Sequence, residues 1–282
     1  VSSSQHVIPN HILPVVAKAK GQLGTDWVSD VSVSNVSSSP VTVQISFFPE
    51  KTDNPFPSPF MYQTVLGPDE TRVFADVIGT LFPTAGDNIK GGLLIMGRSN
   101  QPGQAAGLAV ISRTYNNADP NRTYGQTVPS ANYAMVWGAG KAVLPGVRQD
   151  SRFRTNVGVA NLSMGPGAPP RLRVKVRILG PTGSPIRELT REIKGLSLEQ
   201  WSLTELGVTS LAAGRVEVSI DPTDTLYQPC QVRTDPGQPG ALFIAYSSKV
   251  DNATGDGEFG LGLVDWSAYA TCPEPPGGDP CR

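Results

Sequence analysis

The nine residues WVSDVSVSN at Trp27–Asn35 return in altered form as FRTNVGVAN at Phe153–Asn161. Both stretches contain an aromatic residue, two further residues, an acid or amide, and then Val-x-Val-x-Asn. In an extended chain, successive side chains point to opposite faces, so the two valines of each copy share one face. We therefore expect Val31 and Val33, with their counterparts in the second copy, to be the buried rows of two equivalent strands.

The repeat extends well beyond these nine residues. Each copy continues with a second alternating strand, VTVQISF at 41–47 and LRVKVRI at 172–178, which is followed by a proline. A single helical turn is predicted next, with Asp76 as its N-cap in the first copy and Thr204 in the second, because Asp and Thr both favour that position. The sequence thus predicts a tandem of two β-rich domains.

Composition agrees with many short strands joined by tight turns. The chain has 282 residues, which suggests about two domains, and it contains 30 glycines and 26 prolines, most of them between apolar alternating runs. The formal net charge of -1 predicts no general attraction to nucleic acid or to an anionic membrane surface. No apolar run approaches the roughly 18 residues of a membrane span, so none is predicted.

Residues 1–14, VSSSQHVIPNHILP, precede the first repeat and have no evident counterpart at the start of the second domain. Pro9 and Pro14 argue against a continuous central strand here. One interpretation is a leader that packs loosely on its own first domain. The other is an edge strand donated to a neighbouring subunit, a head-to-tail contact that would generate a homopolymer. The apolar residues that would make this assembly contact are Val7, Ile8, Ile12 and Leu13.

Loop 52–62, TDNPFPSPFMY, sets large apolar side chains among three prolines. Proline fixes the backbone before binding, and aromatic side chains supply a large contact area at small entropic cost. The loop is predicted either to display an interaction surface for a glycan or a surface protein, or to pack over the edge of its own domain. The residues concerned are Phe56, Phe60, Met61 and Tyr62.

Three cysteines occur near the C-terminal end of the chain. Cys272 and Cys281 enclose PEPPGGDP, which has no apolar residue to hold it in a core, so a disulfide between them is predicted to order this short loop. Cys230 is left over in that pairing. It could instead pair with one of the other two, or stay a buried thiol. Either pairing fits an exported protein.

Catalytic signatures are missing from the sequence. The two histidines, His6 and His11, fall in the N-terminal segment, outside both predicted domains, and no nucleophile elbow, phosphate loop or dinucleotide fingerprint occurs. A pair of carboxylates of the glycosidase type stays open. Asp30, Asp76 and Glu205 lie at repeat positions, however, where capping or turn formation is the better interpretation. No enzyme activity, metal or cofactor is predicted.

The acidic segment 251–258, DNATGDGE, is rich in oxygen ligands of the kind that calcium prefers. It lacks the complete twelve-residue spacing of a calcium loop and lies between two hairpin strands. A plain Asn/Asp/Gly hairpin turn is therefore the favoured interpretation. The corresponding turn of the first copy, NNADPN at 116–121, has the same character.

Four segments of the chain stand out together: an aromatic residue with Asp30 and the Val-x-Val-x-Asn that follows, LGPDE at 66–70, SRTYN at 112–116 and TYGQTVP at 123–129. This succession resembles the immunoglobulin-like β-sandwich repeats of secreted and surface proteins of bacteria. The resemblance covers most of both halves, but the second copy departs from it, with SSKV in place of SRTY and FGLG in place of YGQT. It implies an exported, non-enzymatic module and no particular ligand.

The sequence therefore predicts an all-β protein made of two tandem antiparallel, immunoglobulin-like β-sandwich domains. The leading functional hypothesis is a secreted or cell-surface structural protein that self-assembles into a filament or layer. An adhesin that binds a glycan or a protein is the alternative, and a glycosidase-like enzyme is third. The predicted boundaries are an extension at 1–14, domains at 15–132 and 133–270, and a tail at 271–282.

Overall fold

The computed structural model of the chain describes residues 10–21, 24–119, 123–131, 135–137, 140–163, 171–224, 242–265 and 267. Within these ranges the chain forms eighteen β-strands and one α-helix. Every strand pairing is antiparallel. The all-β sandwich class that the alternation predicts is confirmed.

Contacts between Cα atoms divide the chain into two compact units, of which the first contains Val1–Glu50 and Pro57–Asn132, and the second Lys51–Phe56 and Tyr133–Arg282. The elements of the first unit are β1 (Asn10–Lys20), β2 (Asp26–Asn35), β3 (Val41–Pro49), β4 (Phe60–Leu66), β5 (Thr71–Phe74), α1 (Val77–Leu81), β6 (Ile89–Ser99), β7 (Leu108–Asn116) and β8 (Gly125–Pro129). Those of the second are β9 (Met135–Trp137), β10 (Lys141–Gln149), β11 (Phe153–Asn161), β12 (Leu172–Leu179), β13 (Pro185–Ile193), β14 (Leu198–Ser202), β15 (Leu211–Ile220), β16 (Leu242–Asp251), β17 (Gly257–Leu261) and β18 (Leu263–Asp265).

The two units share the order of their main strands, although pairing of β1 with β2 joins the layers of the first unit into one eight-stranded sheet while the second unit has two five-stranded sheets. One layer of the first unit runs β4-β3-β6-β1, and the matching layer of the second runs β13-β12-β15-β10. The other layers run β5-β2-β7-β8 and β14-β11-β16-β17. Registers match as well, because Val31 lies opposite Ser112 as Val157 lies opposite Ser247. The valine rows predicted at the start of each repeat are fully buried.

Strand β1 corrects two expectations about the N-terminal segment. It runs through Pro14 as a strand of its own sheet, with a β-bulge between Leu13 and Val16. A bulge accommodates proline, because it removes a position from the hydrogen-bond ladder. Strand β10 has the same bulge at Pro145. Residues 10–14 therefore have a counterpart in the second unit after all, and β1 crosses the boundary predicted at residue 14.

Buried polar side chains occupy equivalent places in both units. The Oγ of Ser29 accepts from the backbone N–H of Ala17 at 2.8 Å, and Oγ1 of Thr155 accepts from that of Arg148 at 3.1 Å. Each hydroxyl is the hydrogen-bond partner of a backbone N–H just past the bulge of β1 or β10. A buried amide without a partner would cost free energy, so the hydroxyl supports the bulge.

Asn35 and Asn161 end the two copies of the repeat and are almost fully buried. The amide nitrogen of Asn35 donates to the carbonyl oxygens of Ser39 and Gly67, both at 2.8 Å. That of Asn161 donates to the carbonyl of Lys194 at 3.1 Å. These bonds tie the end of β2 or β11 to the turn after β4 or β13. Each asparagine is followed two residues later by a serine, and in this Asn-x-Ser sequence the asparagine side chain has a structural role.

In the first unit the predicted helical turn and its cap are confirmed, whereas the equivalent segment of the second unit, 203–207, is a hydrogen-bonded turn and not a helix. Asp76 is the N-cap of α1, and its carboxylate accepts from the N–H of Gly79. In the second unit the cap is Ser202 and not Thr204. The Oγ of Ser202 accepts from the N–H of Glu205 at 3.1 Å, and the Glu205 carboxylate accepts from the N–H of Ser202 at 2.6 Å. This reciprocal pair is a capping box.

Candidate functional site

The layer β4-β3-β6-β1 has an outward face that is nearly free of charge. We call it the first outer face. Cross-strand registers arrange it in three rows, and Arg98 is the one charged residue among the eleven. The rows are Met61–Ser46–Leu94–Ile12, Gln63–Gln44–Met96–Asn10 and Val65–Thr42–Arg98.

Apolar side chains on this face are in contact with water. Met61 is 50% exposed and Val65 is 49% exposed, and Leu94, Met96 and Ile12 are half-buried. Large exposed apolar residues on one continuous surface mark an interaction site more often than single scattered ones do. Beyond the first row, the face ends at an ion pair between Lys90 and Glu50, whose charged atoms lie 3.6 Å apart.

The equivalent layer β13-β12-β15-β10 has an outward face of opposite character, the second outer face. The same registers place eight charged residues among its eleven positions, with both signs interspersed. Only one large apolar residue, Val143, stands there. The rows are Glu188–Arg177–Glu217–Val143, Thr190–Lys175–Ser219–Lys141 and Glu192–Arg173–Asp221.

Ion pairs connect the second outer face into one network. The carboxylate of Glu217 lies 3.3 Å from the Arg177 guanidinium, 3.0 Å from that of Arg215 and 3.5 Å from the Lys141 ammonium. Glu188 accepts from Lys175 and also faces Arg177. The hydrogen bond from Lys175, helped by the Arg177 charge, lowers the pKa of the Glu188 carboxyl below its usual range. Paired charges keep this face stable in water and costly to bury.

The outermost strands of the two layers differ in the same way. Strand β4, FMYQTVL, contains no charged residue, whereas β13, PIRELTREI, contains four. Arg187 and Arg191 of β13 also face the core side, opposite Ile178 and Val174, and the Arg191 guanidinium lies 6.0 Å from the centre of the Trp201 ring. Inward-pointing charges protect an edge strand against pairing with another chain. Strand β4 has no inward-pointing charge of this kind.

The structure brings two of the predicted contact residues onto one row of the first outer face. Ile12, predicted for assembly, and Met61, predicted for the interaction loop, lie on that row with two strands between them. Leu13 points to the core instead and is fully buried. Val7 and Ile8 lie outside the described residues.

The predicted interaction loop is partly a strand. Phe60, Met61 and Tyr62 begin β4, because their side chains alternate between core and solvent. Phe60 packs on Phe47 with ring centroids 6.2 Å apart, and Tyr62 packs on Phe74 at 5.9 Å.

The remaining predicted loop residue, Phe56, is 51% exposed. It ends the segment Lys51–Phe56, which belongs to the second unit. Asn54 fixes this segment there, since its side chain donates to the carbonyl of Leu196 at 2.9 Å.

Asp30 and Asp76, two acids that stay open as a glycosidase-type pair in the sequence, both lie at the start of α1. Asp30 accepts from the backbone N–H of Asp76 at 2.9 Å and from the Tyr115 hydroxyl at 3.3 Å. Burial, together with the Asp30 charge, raises the pKa of Tyr115. The ammonium of Lys18 lies 3.9 Å from Asp76. Both carboxylates thus hold the start of α1, which agrees with their interpretation as capping residues.

His11 lies inside the first unit, which corrects its assignment to a tail. Its Nε2 is 2.9 Å from the carbonyl oxygen of Leu108 and donates to it, because a carbonyl can only accept. Its Nδ1 is 3.0 Å from Oγ of Ser130. The second unit has Ala142 and Gly262 at the equivalent positions. The first unit therefore has a His–Ser contact between β1 and the end of β8, and the second unit has no such contact at the equivalent positions.

The acidic turn after β16 is held by its own hydrogen bonds. Asp251 accepts from the N–H of Ala253 at 2.8 Å and pairs with Arg152 at 3.0 Å. These two contacts lower the pKa of the Asp251 carboxyl. Asn116 has the same position in the first unit and accepts from the N–H of Ala118. Within the described ranges, no group of three or more His, Cys, Asp or Glu side chains is placed to hold a metal ion.

Sequence reasoning missed the contrast between the two outer faces, although the signal was present. The outward positions of β3 are Thr42, Gln44 and Ser46, where β12 has Arg173, Lys175 and Arg177. The buried positions between them are apolar in both strands. A comparison of the two copies position by position would have found that the outward residues change from uncharged to charged while the buried residues stay apolar.

No protein-family model matches the chain, and a search of curated proteins finds no match either. In the part of the chain that the structure describes, no helix has the length and apolar character needed to cross a membrane. The predicted disulfide partners Cys272 and Cys281 lie outside the described residues.

Proposed function

We propose that the protein is a non-enzymatic structural protein of the cell exterior, a subunit that self-associates into a surface filament or layer. The observation that carries the proposal is the first outer face. Ten of its eleven positions are uncharged, while eight of the eleven equivalent positions in the second unit are charged. Both units have the same fold, so folding alone does not account for the difference between their outward residues. That difference suggests that the two faces have different surroundings.

The physical reason concerns desolvation. Burying charged groups costs free energy unless each charge is paired well in the new environment. A partner that covers the first outer face buries only one charged residue, Arg98. Removing the exposed apolar carbons of this face from water is favourable. Met61 and Met96 are unbranched and adaptable, which suits a contact surface. A second copy of the chain is the partner proposed, because an uncharged face is compatible with itself.

The exterior location is supported by two features of the sequence. The predicted Cys272–Cys281 disulfide would form and persist in an oxidising environment. The pattern resemblance to bacterial surface repeats points the same way.

Sedimentation velocity over a concentration series tests the proposal. Wild-type protein is expected to exceed the monomer mass as concentration rises, and electron microscopy should then find regular assemblies. Met96→Glu places one negative charge on the first outer face and should weaken association about tenfold or more, because it must be desolvated. Ser219→Glu is the matched control. It adds the same charge at the equivalent position, opposite Lys141 and Lys175, and should leave association unchanged.

A binding module for a glycan or a surface protein is the second candidate, favoured by the exposed ring of Phe56. Under this alternative, Phe56→Ala removes adhesion or glycan binding without changing the melting temperature. Val36→Ala is the control, because Val36 is 52% exposed and likewise apolar. Equal binding by wild type and both variants would remove this candidate.

A further inference from the structure

The backbone of β4 indicates which of its residues face the open edge of the sheet. Strand β4 is the last strand of its layer in the described ranges. The carbonyl oxygen of Val65 accepts from Nη2 of Arg72 at 3.3 Å and therefore points away from β3. In a strand the N–H and C=O of one residue point to the same side, and the side alternates along the chain. The backbone groups of Met61 and Gln63 thus face the same edge.

A second copy of β4 fits this edge in one particular register. When two copies run antiparallel about a two-fold axis at Gln63, Gln63 lies opposite its own copy and Met61 lies opposite Val65. All of these residues direct their backbone groups to the edge, so each opposed pair can exchange two N–H···O=C bonds. The contact of Arg72 with Val65 is replaced by one of those bonds.

Side chains in that register are complementary too. Met61, Gln63 and Val65 belong to the first outer face, so the half-exposed carbons of Met61 meet those of Val65 across the new pair. Apolar cross-strand pairs of this kind stabilise antiparallel sheets. The two glutamine amides at the axis can hydrogen-bond to each other, because an amide is both donor and acceptor.

We propose that two copies of the chain pair through their β4 strands, antiparallel and centred on Gln63, so that their β4-β3-β6-β1 layers form one continuous sheet. The proposal rests on the self-association proposed above and specifies the contact. Strand β4 has no charged residue of its own and the first outer face has only Arg98, so the pairing brings two first outer faces side by side as one larger, mostly uncharged surface.

The second unit supplies a built-in comparison. Strand β13 is the equivalent edge, and Thr190 is the equivalent of Gln63. Its neighbours Arg191 and Glu192 carry charges on both sides of the strand, which opposes pairing with a copy of itself. Of these two equivalent strands, self-pairing is therefore assigned to β4 and not to β13.

The symmetry of this contact limits what it can build. A two-fold contact uses the same patch on both subunits and closes at a dimer. The dimer is then the building unit, and a filament or layer requires a further contact. Dimers are expected at lower concentration than larger assemblies.

Proline at position 63 tests the pairing, because it removes an N–H that faces the edge and leaves the bonds to β3 in place. Gln63→Pro should raise the dimer dissociation constant by roughly tenfold to a hundredfold, as two hydrogen bonds are lost at the axis. Thr190→Pro is the matched control and should leave the constant unchanged. Melting curves verify that both variants are folded.

Oxidative cross-linking gives a second readout that does not depend on tolerance of proline. Gln63→Cys should form a covalent dimer on oxidation, while Thr190→Cys, which has the same native cysteines, should not. The β4 contact is overturned, while self-association stands, if wild type dimerises and Gln63→Pro has the same dissociation constant. It is likewise overturned if wild type dimerises and Gln63→Cys forms no covalent dimer. Wild-type protein that stays monomeric at every concentration overturns self-association itself.

Discussion

At the scale of single residues, Asn35 shows how one buried side chain fixes the end of a strand. Its amide donates to two carbonyls of different turns, and its Oδ1 accepts from the N–H of Ser37 at 3.0 Å. Such a side chain satisfies backbone groups that water cannot reach. Asn161 does the same in the second unit, where Ser163 donates to it.

Asn35→Ala should lower the free energy of unfolding by about 2 kcal/mol, because buried carbonyls lose their donor. Asn35→Asp should cost more, since it places a buried negative charge against the carbonyls of Ser39 and Gly67. Urea unfolding measures both. Ser34→Ala is the control, because its hydroxyl bonds to Thr71 on the exposed side. Equal losses at positions 34 and 35 would contradict this role.

Asp251 is predicted to make stability depend on pH. The N–H of Ala253 and the Arg152 charge lower its pKa in the folded state. A lowered pKa means that its contribution is present at neutral pH and is lost as pH falls from about 4 through the folded value.

Asp251→Asn keeps an oxygen for Ala253, as Asn116 does in the first unit, but removes the charge. The variant should be less stable than wild type at pH 7, and the difference should shrink at pH 3. Urea midpoints at the two pH values measure it. Asp256→Asn controls for removing one negative charge from the same turn. A difference that stays constant with pH would contradict the assignment.

At the scale of elements, the turn at 203–207 in the second unit depends on the reciprocal hydrogen bonds between Ser202 and Glu205. Ser202→Ala should cost about 1 kcal/mol, because the N–H of Glu205 loses its acceptor. Thr204→Ala tests the cap that the sequence pattern indicated, and it should be neutral because Thr204 is exposed and its side chain caps nothing. Thermal unfolding distinguishes the two. A larger loss from the threonine variant would restore the sequence-based assignment.

Gly91 of β6 lies opposite the bulge of β1 and, on its other side, approaches the backbone of β3 closely. A Cβ on Gly91 would lie 2.2 Å from the carbonyl oxygen of Phe48, whereas a Cβ on Gly92 would lie 3.6 Å from its nearest neighbour. Gly91→Ala should therefore cost about 3 kcal/mol, because backbone must move. Gly92→Ala should be tolerated. Similar losses from both, measured by urea unfolding, would contradict the packing.

Elements were predictable from sequence where one local rule decides them. Alternation predicted the strands, and Asp76 was recognisable as a cap. Pro14 was misleading because the rule against proline in a central strand has an exception at bulges, and bulges depend on the facing strand. The capping box at Ser202 and Glu205 could have been read from its spacing. Phe60 to Tyr62 were assigned to a loop because the flanking prolines dominated the pattern.

At the scale of the molecule, the tandem repeat was predictable because both copies preserve the buried positions of β2 and β11. The candidate site was not predicted as a surface. Ile12, Met61 and Met96 are distant in sequence, and only the order β4-β3-β6-β1 brings them onto one face. Long-range strand order depends on pairing between distant segments, which local pattern does not specify.

The central claim is that the uncharged face and edge of the first unit mediate self-association. Sedimentation velocity of wild type, Met96→Glu and Ser219→Glu over the same concentration series tests it most directly. The account predicts that wild type and Ser219→Glu associate alike, and that Met96→Glu remains monomeric to a concentration about tenfold higher. Three indistinguishable monomers, or association that Met96→Glu does not weaken, would contradict it.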